Sequence, residues 1–195
     1  MAVLDQTTLE PIREKIEAGE RLDVEDGVAL LESDDLIALG ELADLARRLR
    51  GGTDDVYFVQ NLYLNQTNVC RVKCKFCAFA ATRKQAHAYT LTAEELVEDA
   101  VRQRELSGFT EIHMVNGENP HVDFSFYVDT IRALHEAMPD VHLKCYTASE
   151  IHHMTTLSGL SHEEVLRELR DAGLGSLPGG GAEIFAERVR RLVAP

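Results

Sequence analysis

Asn65-Gln-Thr-Asn-Val-Cys-Arg-Val-Lys-Cys-Lys-Phe-Cys-Ala-Phe79 sets Cys70, Cys74 and Cys77 in a Cys-x3-Cys-x2-Cys run. Three thiolates so close together, with no fourth Cys or His near them, suit a site left one ligand short. Cys thiolates are the usual ligands of a cubic iron–sulfur cluster, and three of them leave one iron open to another molecule. Other readings stand beside this one. Cys at i, i+4 and i+7 would share one helical face as buried thiols, but Arg71, Lys73 and Lys75 between them make a poor core helix. A zinc site asks for four protein ligands, or three and a water. A disulfide set needs an oxidising compartment, and the sequence shows no signal peptide to imply one.

Outward from this run, the chain changes rhythm twice. Residues 1–52 read as a helical segment capping the main domain: Thr7-Thr8 caps one helix, Asp23 starts a second and Ser33-Asp34-Asp35 caps a third, with Leu36, Leu39, Leu42, Leu45 and Leu49 at helical spacing. Residues 53–195 read as a core of alternating strands and helices. Val56–Val59 and Leu62–Leu64 are rich in β-formers, and the cysteine loop follows them. Thr92-Ala-Glu-Glu95 is a capping box that opens a helix ended by Gly108. Strands over 110–115 and 141–146, a helix over about 124–137 and a capping box at Ser161–Glu164 come next. Leu174–Leu177 reads as a fourth short strand, and Pro178-Gly-Gly-Gly181 leads into a last helix from about Glu183.

Strand–loop–helix repeated four times implies parallel strands with right-handed crossovers. The polar and Gly-rich loops all follow strands, the end at which parallel α/β barrels carry their sites. The fold expected is α/β, a partial (β/α) barrel of four units behind a helical segment.

The chain of 195 residues carries a net charge of −13, which argues against nucleic acid as a partner. No apolar run reaches the ~20 residues of a membrane span. A cytoplasmic protein is expected. Only five basic residues are Lys, and three of them, Lys73, Lys75 and Lys84, flank the cysteines. Local positive charge there is expected to lower the thiol pKa values.

The spacing, with Phe76 just before the last Cys, resembles the signature of radical S-adenosylmethionine (SAM) enzymes. A closer resemblance is to the aminofutalosine synthase family of the futalosine route to menaquinone. It is carried by Gly-Glu-Arg-Leu at 19–22, Glu-Ser-Asp-Asp-Leu at 32–36, Leu-Asn-Gln-Thr-Asn-Val-Cys at 64–70 and Ala-Tyr-Thr-Leu at 88–91. Glu-Ile-His-Met-Val-Asn-Gly at 111–117, Lys-Cys-Tyr-Thr-Ala-Ser-Glu-Ile-His-His at 144–153 and Gly-Gly-Gly-Ala-Glu-Ile-Phe at 179–185 carry it further. Two sister families, dehypoxanthine futalosine cyclase and the tyrosine-using subunit of the deazaflavin (FO) synthase, share much of this but usually have His in place of Lys144. One departure is Gly117-Glu118-Asn119-Pro120, where the family often reads Gly-Leu-His-Pro. Glu118 there resembles the Gly-Gly-Glu element that holds the SAM amino group in many relatives.

The resemblance implies a radical SAM transferase with a 4Fe-4S cluster on Cys70, Cys74 and Cys77, SAM as co-substrate and a one-electron reductant as partner. Its small-molecule substrate would be 3-(1-carboxyvinyloxy)benzoate and its product 6-amino-6-deoxyfutalosine. Such barrels usually have about six units, so the chain reads as the front of a longer protein. The remainder would lie on another chain, be lost by truncation, or be replaced at the open edge by a dimer partner. Phe76 would pack on the adenine. Asn116, Gly117 and Glu118 would grip the methionine part of SAM, and Gly179, Gly180 and Gly181 would offer N–H groups to a carboxylate or ribose. Lys144, Glu150 and His152 are candidate substrate contacts, while Cys145 reads as a core thiol.

Overall fold

The structure, a computed structural model, describes residues 6–51, 54–180 and 184–194. The chain divides into two compact units, residues 1–58 and 59–195.

The first unit holds α1 (Gln6–Glu17), α2 (Val24–Glu32) and α3 (Leu36–Gly51). Leu9, Ile12 and Leu42 form its small core, with Ile16, Leu22 and Leu39 against them. Asp23 caps α2 reciprocally with Asp26, and Lys15 from α1 reaches both carboxylates at 2.9 and 2.7 Å.

The second unit holds β1 (Asn61–Leu64), α4 (Ala93–Ser107), β2 (Glu111–Met114), α5 (Phe124–Ala137), β3 (His142–Cys145), α6 (Ala148–Ser158), α7 (His162–Asp171) and α8 (Glu187–Val193). The three strands form one parallel sheet in the order β1-β2-β3. Leu64, Ile112, Met114, Leu143 and Cys145 turn one sheet face into a core shared with Leu96, Ile131, Leu134, Val165 and Leu169 of the helices. Thr92 caps α4 with Glu95, and Gly108 ends it at φ 63°, a left-handed turn that glycine adopts without strain.

Val56–Val59 do not form a strand; their side chains are exposed. The place beside β2 goes to Asn61–Leu64, and the pairing starts with the Thr110 N–H donating to the Gln60 carbonyl at 3.0 Å. The fourth strand shrinks to one parallel bridge, Lys144 to Ser176, with the Cys145 N–H donating to Ser176 O at 3.0 Å. Gly175 presses against the His142 ring, so close that a Cβ would stand 2.5 Å from it. α6 starts at Ala148, directly after β3 and its short turn, and is capped by Thr147 with Glu150.

Candidate functional site

The cysteine run hangs from a closed neck. After β1 the chain loops through residues 65–91 before α4. Thr67 and Thr90 bridge antiparallel at its base and Val69 and Ala81 bridge parallel above. The Cys70 N–H donates to Ala81 O at 3.0 Å and the Ala81 N–H to Asn68 O at 2.8 Å. The Asn68 side chain closes the ring, accepting from the Tyr89 N–H at 2.8 Å and donating to His87 O at 2.9 Å. Beyond the neck the Cys77 N–H donates to Cys74 O at 3.2 Å, and the Lys75 N–H to Val193 O at the end of α8 at 2.8 Å. Lys73 sits in the left-handed region at φ 61°. Bending the backbone there brings Cys74 round toward Cys70 and Cys77.

All three cysteines are free thiols, part exposed. Contrary to the expectation from the flanking lysines, the Cys74 thiol is pushed above its ordinary pKa. Burial is the main cause, followed by its neighbours Cys70 and Cys77, with Glu118 contributing. None of the flanking lysines is among the causes of the shift.

The loop after β2 locks against this turn. The Gly117 N–H donates to Thr67 O at 2.9 Å, and a Cβ on Gly117 would lie 2.4 Å from the Val69 carbonyl oxygen. Asn116 Oδ1 accepts from the Gln66 N–H at 2.5 Å, while its buried Nδ2 has no partner among the described residues. The Arg71 N–H donates to Glu118 O at 3.0 Å. The Glu118 carboxylate is buried, accepts from Ser149 Oγ and lies 3.0 Å from Arg71 Nε. The Nε hydrogen itself points to His153 Nδ1 at 3.2 Å, so the Glu118 contact is charge–charge rather than a directed bond. His153 Nε2 lies 3.0 Å from Asn119 O, the arrangement of an Nε2–H tautomer. His153 thus ties α6 to the cysteine run. This contact spans 82 positions, and no local pattern announces it.

The other expected residues divide. Gly179 and Gly180 are exposed, and Gly180 lies beside Thr147, whose Cβ would be 3.1 Å from an added Cβ; Gly181 lies outside the described residues. Phe76 is exposed on the turn. Glu150 is buried, with both oxygens engaged: one by the Thr147 N–H and hydroxyl, the other by the Asn116 N–H at 2.9 Å. It caps α6 and holds the loop after β2, which leaves no oxygen facing a substrate. Burial raises its pKa to about 7. The Thr147-x-x-Glu150 spacing carried that capping signal. His152 is exposed and stacks on His162 at 5.4 Å, away from the cysteine turn. Cys145 is fully buried in the core, where its thiol is held well above the usual range. Lys144 stands on the sheet face opposite that core, 3.9 Å from Glu111 Oε1.

Three thiols with no other protein ligand beside them in the run are the donor type that iron–sulfur clusters take. Among the described residues no group of three Cys, His, Asp or Glu side chains is gathered that could hold a metal ion. No helix among the described residues is long and apolar enough to cross a membrane.

Comparison with known proteins agrees with this geometry. A family model of the radical SAM superfamily matches residues 64–195. Aminodeoxyfutalosine synthase of Thermus thermophilus is 45% identical over 94% of this chain and 49% of its own length. The Streptomyces coelicolor protein of that name is 47% identical over 92% of this chain and 46% of its own. Cyclic dehypoxanthine futalosine synthase of Halalkalibacterium halodurans is 35% identical over 96% and 50%. The chain therefore spans about half the length of the curated relatives it matches. Among solved structures, the FeFe-hydrogenase maturase HydG of Carboxydothermus hydrogenoformans superposes with a TM-score of 0.60 at 20% identity. The match covers 88% of this chain and 47% of HydG, and shows a shared fold.

Proposed function

Because the chain belongs to the radical SAM superfamily, we propose that Cys70, Cys74 and Cys77 hold a 4Fe-4S cluster in an enzyme of aminodeoxyfutalosine synthase type. The reaction adds the 5′-deoxyadenosyl group of SAM to the enolpyruvyl double bond of 3-(1-carboxyvinyloxy)benzoate. Rearrangement and loss of the carboxylate then give 6-amino-6-deoxyfutalosine. The observation that carries this reading is the identity to two synthases, 45% and 47%, against 35% for the cyclase relative.

Cys70, Cys74 and Cys77 would hold the cluster, which would pass one electron from an external reductant to the SAM sulfonium. The protein's own part is positional. The neck at Asn68, Cys70 and Ala81 fixes the turn. Gly117 lets the two loops meet backbone to backbone. The Asn116 amide, whose Nδ2 has no partner among the described residues, and the Glu118 carboxylate would serve the methionine part of SAM. SAM binding would recruit Glu118 from its present bond with Ser149.

Anaerobic reconstitution with iron and sulfide tests the first half. Broad brown absorption and about four irons per chain are expected, lost in each of Cys70→Ala, Cys74→Ala and Cys77→Ala. Protein that stays colourless, or binds zinc alone, rejects the reading. Incubation with dithionite, SAM and the enolpyruvyl benzoate tests the second half: 6-amino-6-deoxyfutalosine is the expected product. Cleavage of SAM with no adduct from an otherwise complete enzyme would point to a sister reaction.

A further inference from the structure

The second unit has a sheet face that its helices leave uncovered. Leu64, Ile112, Met114, Leu143 and Cys145 face the core, so the residues between them face the other way. The register sets three of these side by side: Tyr63 against His113, and His113 against Lys144. The Tyr63 and His113 rings stack at 5.3 Å and 25°. Among the described residues the Lys144 ammonium makes no hydrogen bond, and its ion-pair neighbour is Glu111 at 3.9 Å.

This row sits one residue short of the carboxyl ends of all three strands, just beneath the loops that carry the cysteines and Asn116. Phe79, two residues past Cys77, meets Tyr89 edge to face at 6.3 Å, so aromatic rings stand at the cysteine turn as well as on the sheet, where Tyr63 and His113 stack.

We propose that Tyr63, His113 and Lys144 form the subsite for an aromatic carboxylate, with the stacked Tyr63–His113 pair against its ring and the Lys144 ammonium on its carboxylate. The proposal rests on the reading given under Proposed function, whose substrate is a benzoate. It adds which residues recognise that substrate and which end of it meets each. An ammonium on a strand, short of a hydrogen-bonding partner, is suited to take a carboxylate as a point charge. The ring then lies between that charge and the cysteine turn. Glu111 competes weakly with the incoming carboxylate for the ammonium, 3.9 Å away.

A carboxylate could also come from SAM, so both ligands are titrated against the reconstituted full chain by calorimetry. Lys144→Met is expected to raise the Kd of 3-(1-carboxyvinyloxy)benzoate roughly 10- to 100-fold and to leave the Kd of SAM unchanged. Lys144→Arg should recover most of the affinity. Glu111→Gln, which keeps the lysine, should tighten benzoate binding several-fold, and this serves even if Lys144→Met fails to fold. If the benzoate binds and Lys144→Met and Glu111→Gln change nothing, the subsite is wrong and the proposed reaction stands. If Lys144→Met weakens SAM instead, the lysine belongs to SAM and the subsite is again overturned. If the wild type ignores the benzoate but takes L-tyrosine in a Lys144-dependent way, the subsite stands and the proposed reaction falls. Binding of neither aromatic acid overturns both.

Discussion

At the scale of single residues, the site depends on positions where side-chain chemistry matters less than backbone room. Gly117 is the clearest. A methyl group there would stand 2.4 Å from the Val69 carbonyl oxygen, and the obstacle is backbone, which cannot rotate away. Gly117→Ala should cost roughly 1–3 kcal/mol by overpacking. It should also lower iron incorporation on reconstitution, because the strain falls on the residue next to Cys70. Unchanged stability in urea and full iron content would show that the two loops can separate. Lys73 is the opposite case. A left-handed non-glycine residue costs about 1–2 kcal/mol, so Lys73→Gly should stabilise the turn by roughly that amount, read as a higher urea midpoint. Neither effect was legible beforehand: no property of Lys73 marks a left-handed turn, and the partner of Gly117 comes from another loop.

At the scale of elements, Thr92 and Ser161 announce their helices through capping boxes and Asp23 marks the start of α2, and each caps its helix in the structure. Residues 174–177 were legible as extended chain, but how many of them pair depends on contacts made across the fold. α6 has its capping box in the sequence too, at Thr147 and Glu150, but the polar residues there equally suit a loop after a strand. Glu150 is the consequence. Its pKa rises from 4.5 to about 7 because burial disfavours the carboxylate. Below the lower value it is protonated whether folded or unfolded, and no cost arises. Between the two the folded protein holds the extra proton, so stability falls as pH rises. Above the upper value the cost is complete, about 3 kcal/mol at 1.36 kcal/mol per unit. Glu150→Gln lacks this slope. It should therefore gain on the wild type by roughly that amount between pH 4.5 and pH 8, in denaturation curves taken at both ends. A constant gap would place the carboxylate in water.

At the scale of the whole molecule, the charge of −13 sets a condition on the folded state. Exposed acids repel one another, and salt weakens that over a Debye length of roughly 10 Å at 0.1 M. The melting temperature should rise as potassium chloride goes from about 0.05 to 0.5 M. A flat or falling curve would mean that surface pairs such as Arg104 with Asp140 already balance the repulsion.

Gly117 against Val69 has one more consequence, for engineering. Because main chain meets main chain at Gly117, no side chain can act as an adjustable spacer at that point. Anyone building chimaeras from this scaffold would have to transplant residues 65–91 and 116–120 as one cassette; either segment moved alone would arrive without its mate.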